Sequence, residues 1–268
     1  MDEDIEKSLL IEKKGLYAIL TFNRPEKRNA LSPLLLLRLH QVLQDFSKDD
    51  NIRCVIMRGS GDVSFSSGYD IGAIPTKISP KDREALKNRN PLELALNSVK
   101  NFQYPTIAMI NGYGYGAGFN LCVCCDIRIA ADDAKLGMTP AKLGLIYHPG
   151  GLQQFIEAFG ISKTKEIFFT AKTYKGKELI ERGFVDYLIP RNELESFTFK
   201  YAEQITENAP LSLKGMKKII NMFGDSMSLN EEMTKKAEEI IKAGFQSDDL
   251  KEGQIAFLEK RKPNFTGK

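Results

Sequence analysis

Three features of the sequence predict an α/β fold with a helical C-terminal region. Apolar runs alternate with helical stretches over the first two thirds of the chain, glycine turns stand between a strand and a helix start, and beyond about residue 161 helical periodicity takes over. In order, "SLLIEKKGLYAILTFN" reads as two strands joined at Gly15. "SPLLLLRLHQVLQDF" opens a helix, with Ser32 at the cap and Pro33 at the first helical position. "RCVIMRGSG" is a strand that ends in a glycine turn. The polar stretch Pro75 to Asn90 reads as a surface loop leading into the helix "PLELALNSVKNF". "PTIAMIN" is a buried strand followed at once by "GYGYGAG". The later segments "KTKEIFFTA", "GKELIERG", "ELESFTFKYAEQITENA", "LNEEMTKKAEEIIKAGF" and "EGQIAFLEKR" are helices, interrupted by one short strand, "FVDYLIP". The division drawn from this shift is 1–195 for the strand-bearing core and 196–268 for the helical region.

Composition excludes several classes of function. The 268 residues are 42% hydrophobic, enough for a large core, and no segment is of low complexity or repeats with a solenoid period. The 38 basic and 35 acidic residues are intermixed and leave a net charge of only +3, so no basic stripe tracks a nucleic acid backbone. No apolar run approaches the roughly 20 residues of a membrane span. The first residues, "MDEDIEKS", are acidic where a signal peptide is basic, so the chain is expected to be cytoplasmic. Cys54, Cys122, Cys124 and Cys125 lack the paired spacing of a zinc site and sit in apolar surroundings, so they read as reduced core thiols.

Chemistry concentrates in three places. "SFSSGYDI" follows a strand and precedes a helical start, with Asp70 placed to cap the first amides. "NGYGYGAGFN" follows the next buried strand and opens another helix. Small residues in both turns let backbone N–H groups approach a ligand, and a helix N-terminus adds partial positive charge, so together they suit a two-amide oxyanion hole. A rival reading takes Gly112, Gly114 and Ala117 as G-x-G-x-x-A of a dinucleotide site, with Asp132 or Asp133 as the acid about 20 residues on. A helix confined between Gly118 and Asp126, barely two turns, argues against it, as does the first glycine turn, which it leaves unexplained. A third reading gives the glycines nothing beyond close packing. The last place is "GLIYHPGG", where Tyr147 and His148 precede a Pro-Gly-Gly that reads as a turn rather than a helix. Either residue can be an ordinary loop side chain, and His40, on the helix after Pro33, reads as structural.

Six segments, "NRPEKRNALS", "FSSGYDI", "INGYGYGAGFNL", "DIRIAADDAKLGMTP", "KLGL" and "FLEKRKPNF", occur in an order and at spacings that resemble the crotonase superfamily, the enoyl-CoA hydratase/isomerase family. The resemblance implies a spiral of ββα repeats of the ClpP/crotonase type. It also implies a helical C-terminal region for oligomerisation and CoA covering, homotrimers or dimers of trimers, and an acyl-CoA thioester as substrate. Coenzyme A is then part of the substrate and no separate cofactor is needed. The amides of Tyr69 and Ala117 would polarise the thioester carbonyl. Hydratases of the family carry one catalytic glutamate at the end of the second glycine turn and another further along, and isomerases keep one carboxylate nearby. Here Asn120 and Pro140 hold those positions, and neither exchanges protons as a carboxylate does.

Within the superfamily, "MTPAKLGLIYHPGG", "KEIFFTA" and the ending "EGQIAFLEKRKPNFTGK" resemble the biotin-independent methylmalonyl-CoA decarboxylase branch, which carries a tyrosine at the place of Tyr147. That branch commonly has a histidine where Tyr69 stands. The likeness implies a lyase that takes methylmalonyl-CoA to propionyl-CoA and CO2, with hydratase or isomerase activity, or non-catalytic CoA binding, as alternatives. Tyr147 would orient the carboxylate, Thr139 would supply a second hydroxyl, and His148 or water would protonate the enolate. For the substrate's CoA part the resemblance nominates Lys27, Arg28, Ala30, Ser66, Gly68, Asp70, Ile71, Gly116, Pro140, Lys260 and Lys262. The amides of Ser66 and Gly68 would lie at the adenine and the basic residues at the phosphates, although each basic residue can equally be a solvated surface charge.

Overall fold

The computed structural model describes residues 3–70 and 90–267, so Ile71 and the loop expected from Pro75 lie outside the described residues. Contacts divide the chain into two units, one of residues 1–136 and 174–222, the other of 137–173 and 223–268.

The first unit starts with α1 (Glu3–Ser8), then β1 (Leu9–Lys14) and β2 (Tyr17–Phe22), an antiparallel pair around Gly15. After α2 (Pro33–Phe46) come β3 (Cys54–Gly59) and the short β4 (Ser64–Ser66), then α3 (Pro91–Lys100), β5 (Thr106–Ile110), β6 (Tyr113–Tyr115) and α4 (Ala117–Cys124). β7 (Ile127–Ala131) and β8 (Lys135–Gly137) follow. A six-stranded sheet takes the order β1-β2-β3-β5-β7-β10 and a second sheet the order β4-β6-β8-β9, so each turn of chain lays one strand in each. Beyond the β1–β2 hairpin the long sheet is parallel. A parallel sheet is covered on both faces, which is why β2 and β5 are buried at every position and read as unbroken apolar runs.

The cap expected at Ser32 is present, and the structure adds a second at Asn90. The Ser32 hydroxyl accepts from the Leu35 amide at 3.3 Å, and Asn90 accepts from the Leu92 amide at 3.0 Å. His40 is structural: its Nδ1 lies 2.6 Å from Ser98 Oγ and ties α2 to α3.

The second unit corrects the reading of Pro-Gly-Gly. After a 3₁₀ turn, Pro140–Leu143, helix α5 (Pro149–Thr170) begins at that Pro149. Proline is at home in the first turn, whose amides have no intrahelical partner, and His148 caps it by accepting the Gly151 N–H on Nδ1 at 3.1 Å. Gly160 then leaves the helical region (φ 76°, ψ 163°) and folds the element back on itself. In a straight helix Phe155 and Phe168 would stand about 20 Å apart. Their rings are instead 5.1 Å apart, edge to face. This hairpin supplies the wall for Tyr147, whose ring packs 5.5 Å from Phe168.

The remaining elements are β9 (Thr173–Lys175), α6 (Lys177–Glu181), β10 (Tyr187–Ile189), α7 (Leu194–Thr206), α8 (Pro210–Asp225), α9 (Glu231–Gln246) and α10 (Asp248–Leu258). α7 packs on β2, β3, β5 and β7, inside the unit of residues 1–136 and 174–222. α8, which no helix expected from the sequence covers, is anchored by a lysine. Lys217 is buried, with its Nζ 2.6 Å from Asp126 and 3.0 Å from the Tyr104 carbonyl. All four cysteines are buried and outside any disulfide, as reduced core thiols would be. Burial, and next the Asp126 charge, pushes the Cys125 thiol up to about 12, which makes it inert at neutral pH.

Candidate active site

The two glycine turns meet inside the first unit. Parallel pairing of β4 with β6, Ser64 to Tyr113 and Ser66 to Gly114, carries them to the same edge. Gly68 has φ +101°, and a Cβ there would stand 2.6 Å from the Tyr115 carbonyl oxygen and 3.5 Å from the Ala117 nitrogen. Only glycine lets the turns close this far.

The direction of the next amide follows from a β-bridge. Leu31 donates to the Gly68 carbonyl at 2.8 Å and accepts from the Asp70 amide at 3.0 Å. In a parallel bridge the residue between those two points its own N–H away from the partner, so the Tyr69 N–H faces away from Leu31. Ala117 is the first residue of α4, so its N–H is one of the helix's unbonded donors at the positive end of the dipole. Among the described residues no acceptor takes either amide. Burial, and next the Asp70 charge, pushes the Tyr69 phenol up to about 12, so at neutral pH it keeps its proton.

The surrounding residues are largely scaffold. Asp70 pairs with Arg24 at 3.2 Å, and the same guanidinium donates to the Ala30 carbonyl at 2.7 Å. Any capping by Asp70 of the amides after it falls outside the described residues. Asn29, fully buried, donates to the carbonyls of Ser60 and Ser64 at 3.0 and 2.8 Å and accepts from the Arg24 amide. Neither Arg24 nor Asn29 was singled out in the sequence, and the only signal was their place beside the prolines and basic residues of "NRPEKRNALS". Lys27 and Arg28 are exposed, and their carbonyls accept from the Ser67 hydroxyl and amide, which fixes both beside the first glycine turn. One expectation is corrected: the Gly68 amide does not face outward for an adenine but donates to Ser66 Oγ at 3.1 Å, and Ser66 is fully buried. Gly116 precedes α4 with φ 52°. Asn120 is fully buried within α4, and its amide nitrogen lies 3.6 Å from Cys124 Sγ.

The dinucleotide reading fails on the same geometry. Gly114 lies inside β6 rather than in a turn, the helix begins only at Ala117 and is 8 residues long, and Asp133 pairs with Arg191 at 2.6 Å. Calorimetry with NAD and NADH is expected to give no heat of binding where CoA thioesters do bind. A micromolar NAD isotherm would overturn that expectation.

In the second unit, Thr139 is half-buried and precedes the 3₁₀ turn that starts at the buried Pro140. Tyr147 is 8% exposed and lies between His148, with ring centroids 4.7 Å apart, and Phe168. The cap gives His148 a structural task beside the proton-donor role expected of it. A nitrogen that accepts an amide N–H cannot itself be protonated, so the neutral ring's proton sits on Nε2. Giving that proton up would leave an imidazolate, and charging the ring first would put a proton against Gly151 and break the cap. Replacing His148 by alanine should therefore cost about 1 kcal/mol of stability, as cap losses do. Asparagine, a better cap, should restore the melting temperature. A large loss of turnover in the asparagine variant would contradict this assignment. Lys260 and Lys262 are exposed in the segment after α10, and Lys260 has φ 55°. A left-handed lysine costs roughly 1 kcal/mol relative to a glycine there.

With this geometry in place, known proteins supply the class. The enoyl-CoA hydratase/isomerase profile matches residues 12–268. The methylmalonyl-CoA decarboxylase of Escherichia coli (strain K12) is 34% identical over 93% of this chain and 94% of its own. The short-chain-enoyl-CoA hydratase of Clostridium acetobutylicum is 31% identical over 95% and 96%. A solved structure of a methylmalonyl-CoA decarboxylase in complex with 2-nitronate-propionyl-CoA superposes with a TM-score of 0.88 at 32% identity, covering 97% of this chain and 99% of that one. The chain belongs to the enoyl-CoA hydratase/isomerase family, the crotonase superfamily of acyl-CoA enzymes, and has the crotonase fold. No helix among the described residues is long and apolar enough to cross a membrane.

Proposed function

We propose that the chain is a carboxy-lyase that decarboxylates a malonyl-type thioester, methylmalonyl-CoA to propionyl-CoA and CO2. The observation that carries this reading is the pair Asn120 and Pro140. Asn120 is sealed inside α4 and Pro140 starts a 3₁₀ turn, so the places where family hydratases keep their glutamates offer no acid or base for water addition. Decarboxylation needs neither. The bond from Cα to the carboxylate breaks, and its electron pair passes into the thioester as an enolate. The amides of Tyr69 and Ala117 stabilise the new oxyanion, and CO2 leaves. A proton from water then adds to Cα. Electrons and atoms balance within the substrate and water, so no cofactor is required.

Tyr147 orients the departing carboxylate with one neutral hydrogen bond. A cationic residue there would stabilise the ground state more than the transition state. Thr139 supplies a second hydroxyl. By the resemblance, Lys27 and Arg28 in the first unit are assigned to the phosphates of CoA and Ala30, Asp70 and Gly116 to the substrate, and Lys260 and Lys262 in the second unit are assigned to the phosphates as well. Similarity to a methylmalonyl-CoA decarboxylase over nearly the whole of both chains supports this reading.

Apolar residues that α8 leaves exposed, Leu211, Met216, Ile219 and Ile220, support self-association as a trimer or a dimer of trimers. Light scattering on the purified chain tests this. For the reaction, the chain is incubated with methylmalonyl-CoA, malonyl-CoA, ethylmalonyl-CoA and crotonyl-CoA, and products are followed by mass. Loss of CO2 from a malonyl-type thioester is expected. Hydration of crotonyl-CoA with the malonyl-type thioesters left intact would replace this reading with a hydratase, and a melting shift with CoA but no turnover of any substrate would leave a binding protein.

A further inference from the structure

The segment after α10 is tied down by two carboxylates of that helix. Glu252 grips Arg261 with both oxygens, at 2.6 and 2.8 Å, and also accepts the Asn264 amide at 2.7 Å. Asp249 accepts the amides of Thr266 at 2.6 Å and Gly267 at 3.0 Å. Arg261 further donates to Glu259 at 2.7 Å and to the Lys262 carbonyl at 3.1 Å. Residues 261, 264, 266 and 267 are thus held, and the nearby acids are occupied by Arg261 and by backbone amides. Among the described residues the ammonium groups of Lys260 and Lys262 enter no ion pair.

The helix end points the same way. Arg261 N–H bonds the Ala256 carbonyl at 3.0 Å and Lys260 N–H the Phe257 carbonyl at 3.3 Å, the pattern that normally closes over a left-handed glycine. Here the left-handed residue is Lys260, φ 55°. A strained position that keeps a cation calls for a functional reason. α10 also packs on the 3₁₀ turn that leads to Tyr147, so closely that a Cβ on Gly253 would strike the Leu143 carbonyl oxygen. One helix therefore sets both the Tyr147 turn and the tail with its two free cations.

We propose that Asp249 and Glu252 are positioning residues that hold the C-terminal segment in the shape with which Lys260 and Lys262 grip the phosphates of the CoA nucleotide. This rests on the reading above that those lysines face CoA, but not on which acyl group reacts. The test therefore measures binding rather than turnover. Calorimetry compares propionyl-CoA with propionyl-pantetheine, which lacks the nucleotide, in the full chain and in E252Q, D249N, K260G and K260A/K262A.

The nucleotide should lose its contribution in E252Q and D249N, so that propionyl-CoA affinity falls by about fivefold, roughly 1 kcal/mol, while propionyl-pantetheine binds as before. K260G should melt at an equal or higher temperature, because glycine relieves the backbone, and yet bind propionyl-CoA more weakly. If K260A/K262A weakens propionyl-CoA binding but E252Q and D249N do not, the positioning role is wrong and the lysine reading stands. If none of the variants discriminates between the two ligands, the lysine reading itself fails and takes the proposal with it. Equal loss for both ligands in E252Q and D249N would mean an ordinary structural role and would also overturn the proposal.

Discussion

Ala117→Pro should lower turnover about a hundredfold or more while the chain still folds, since one oxyanion donor is typically worth about 3 kcal/mol of transition-state stabilisation. The substitution is unusually clean. Ala117 is the first residue of α4, where proline is favoured and where no intrahelical hydrogen bond is lost. Gly116 before it has ψ −119°, outside the helical region that a following proline disfavours. What disappears is the N–H itself, and the ring's Cδ takes the place of its hydrogen. Ala117→Gly keeps the amide and serves as the control, with turnover expected near that of the parent. A proline variant with normal melting temperature and normal turnover would remove Ala117 from the site.

A glycine turn that opens a helix here could be anticipated because its determinants are local, while the choice of the Ala117 amide came from the family resemblance. A buried strand, a run of small residues and a helix start follow one another within "PTIAMINGYGYGAGFN", and each has a periodicity or a backbone requirement visible over a few residues. The same holds for the Ser32 cap. Partners of the second sheet were not visible in this way. β4, β6, β8 and β9 are three residues each, and segments such as "YGY" and "TYK" carry no hydrophobic pattern long enough to read. They exist because the spiral brings neighbouring turns into register.

The start of α5 was misread for a different reason. Glycine and proline count against a helix interior, but in the first turn the amides are free in any case and a capping side chain matters more. His148 is that cap, and no short-range rule marks histidine for the task. The fold-back at Gly160, which brings Phe168 to Tyr147, depends on a contact across more than one helical segment. Arg24, which reaches Asp70 across 46 residues, is likewise a long-range fact. Absence was easier to read than presence: the family resemblance marks Asn120 and Pro140 as non-carboxylates at once, whereas the supports of Tyr69 and Ala117 emerge only in three dimensions.

Tyr147→Phe should lower decarboxylation about tenfold or more, because each 1.4 kcal/mol of lost transition-state stabilisation is a factor of ten. The ring is held by Phe168 at 5.5 Å and by the His148 ring at 4.7 Å, and phenylalanine keeps both contacts. Only the hydroxyl is deleted. If that hydroxyl orients the carboxylate so that its bond to Cα stands perpendicular to the thioester plane, its loss falls on kcat with methylmalonyl-CoA. Affinity for propionyl-CoA, which has no carboxylate to orient, should stay unchanged. The melting temperature separates the alternatives: a drop in kcat accompanied by a marked fall in stability and in propionyl-CoA affinity would assign the hydroxyl to the fold instead. His148→Asn, measured beside it, should keep kcat, because the proposed reaction takes its proton from water once CO2 has left. Full activity in the phenylalanine variant would exclude Tyr147 from the reaction and leave the orientation of the carboxylate to the thioester channel and Thr139.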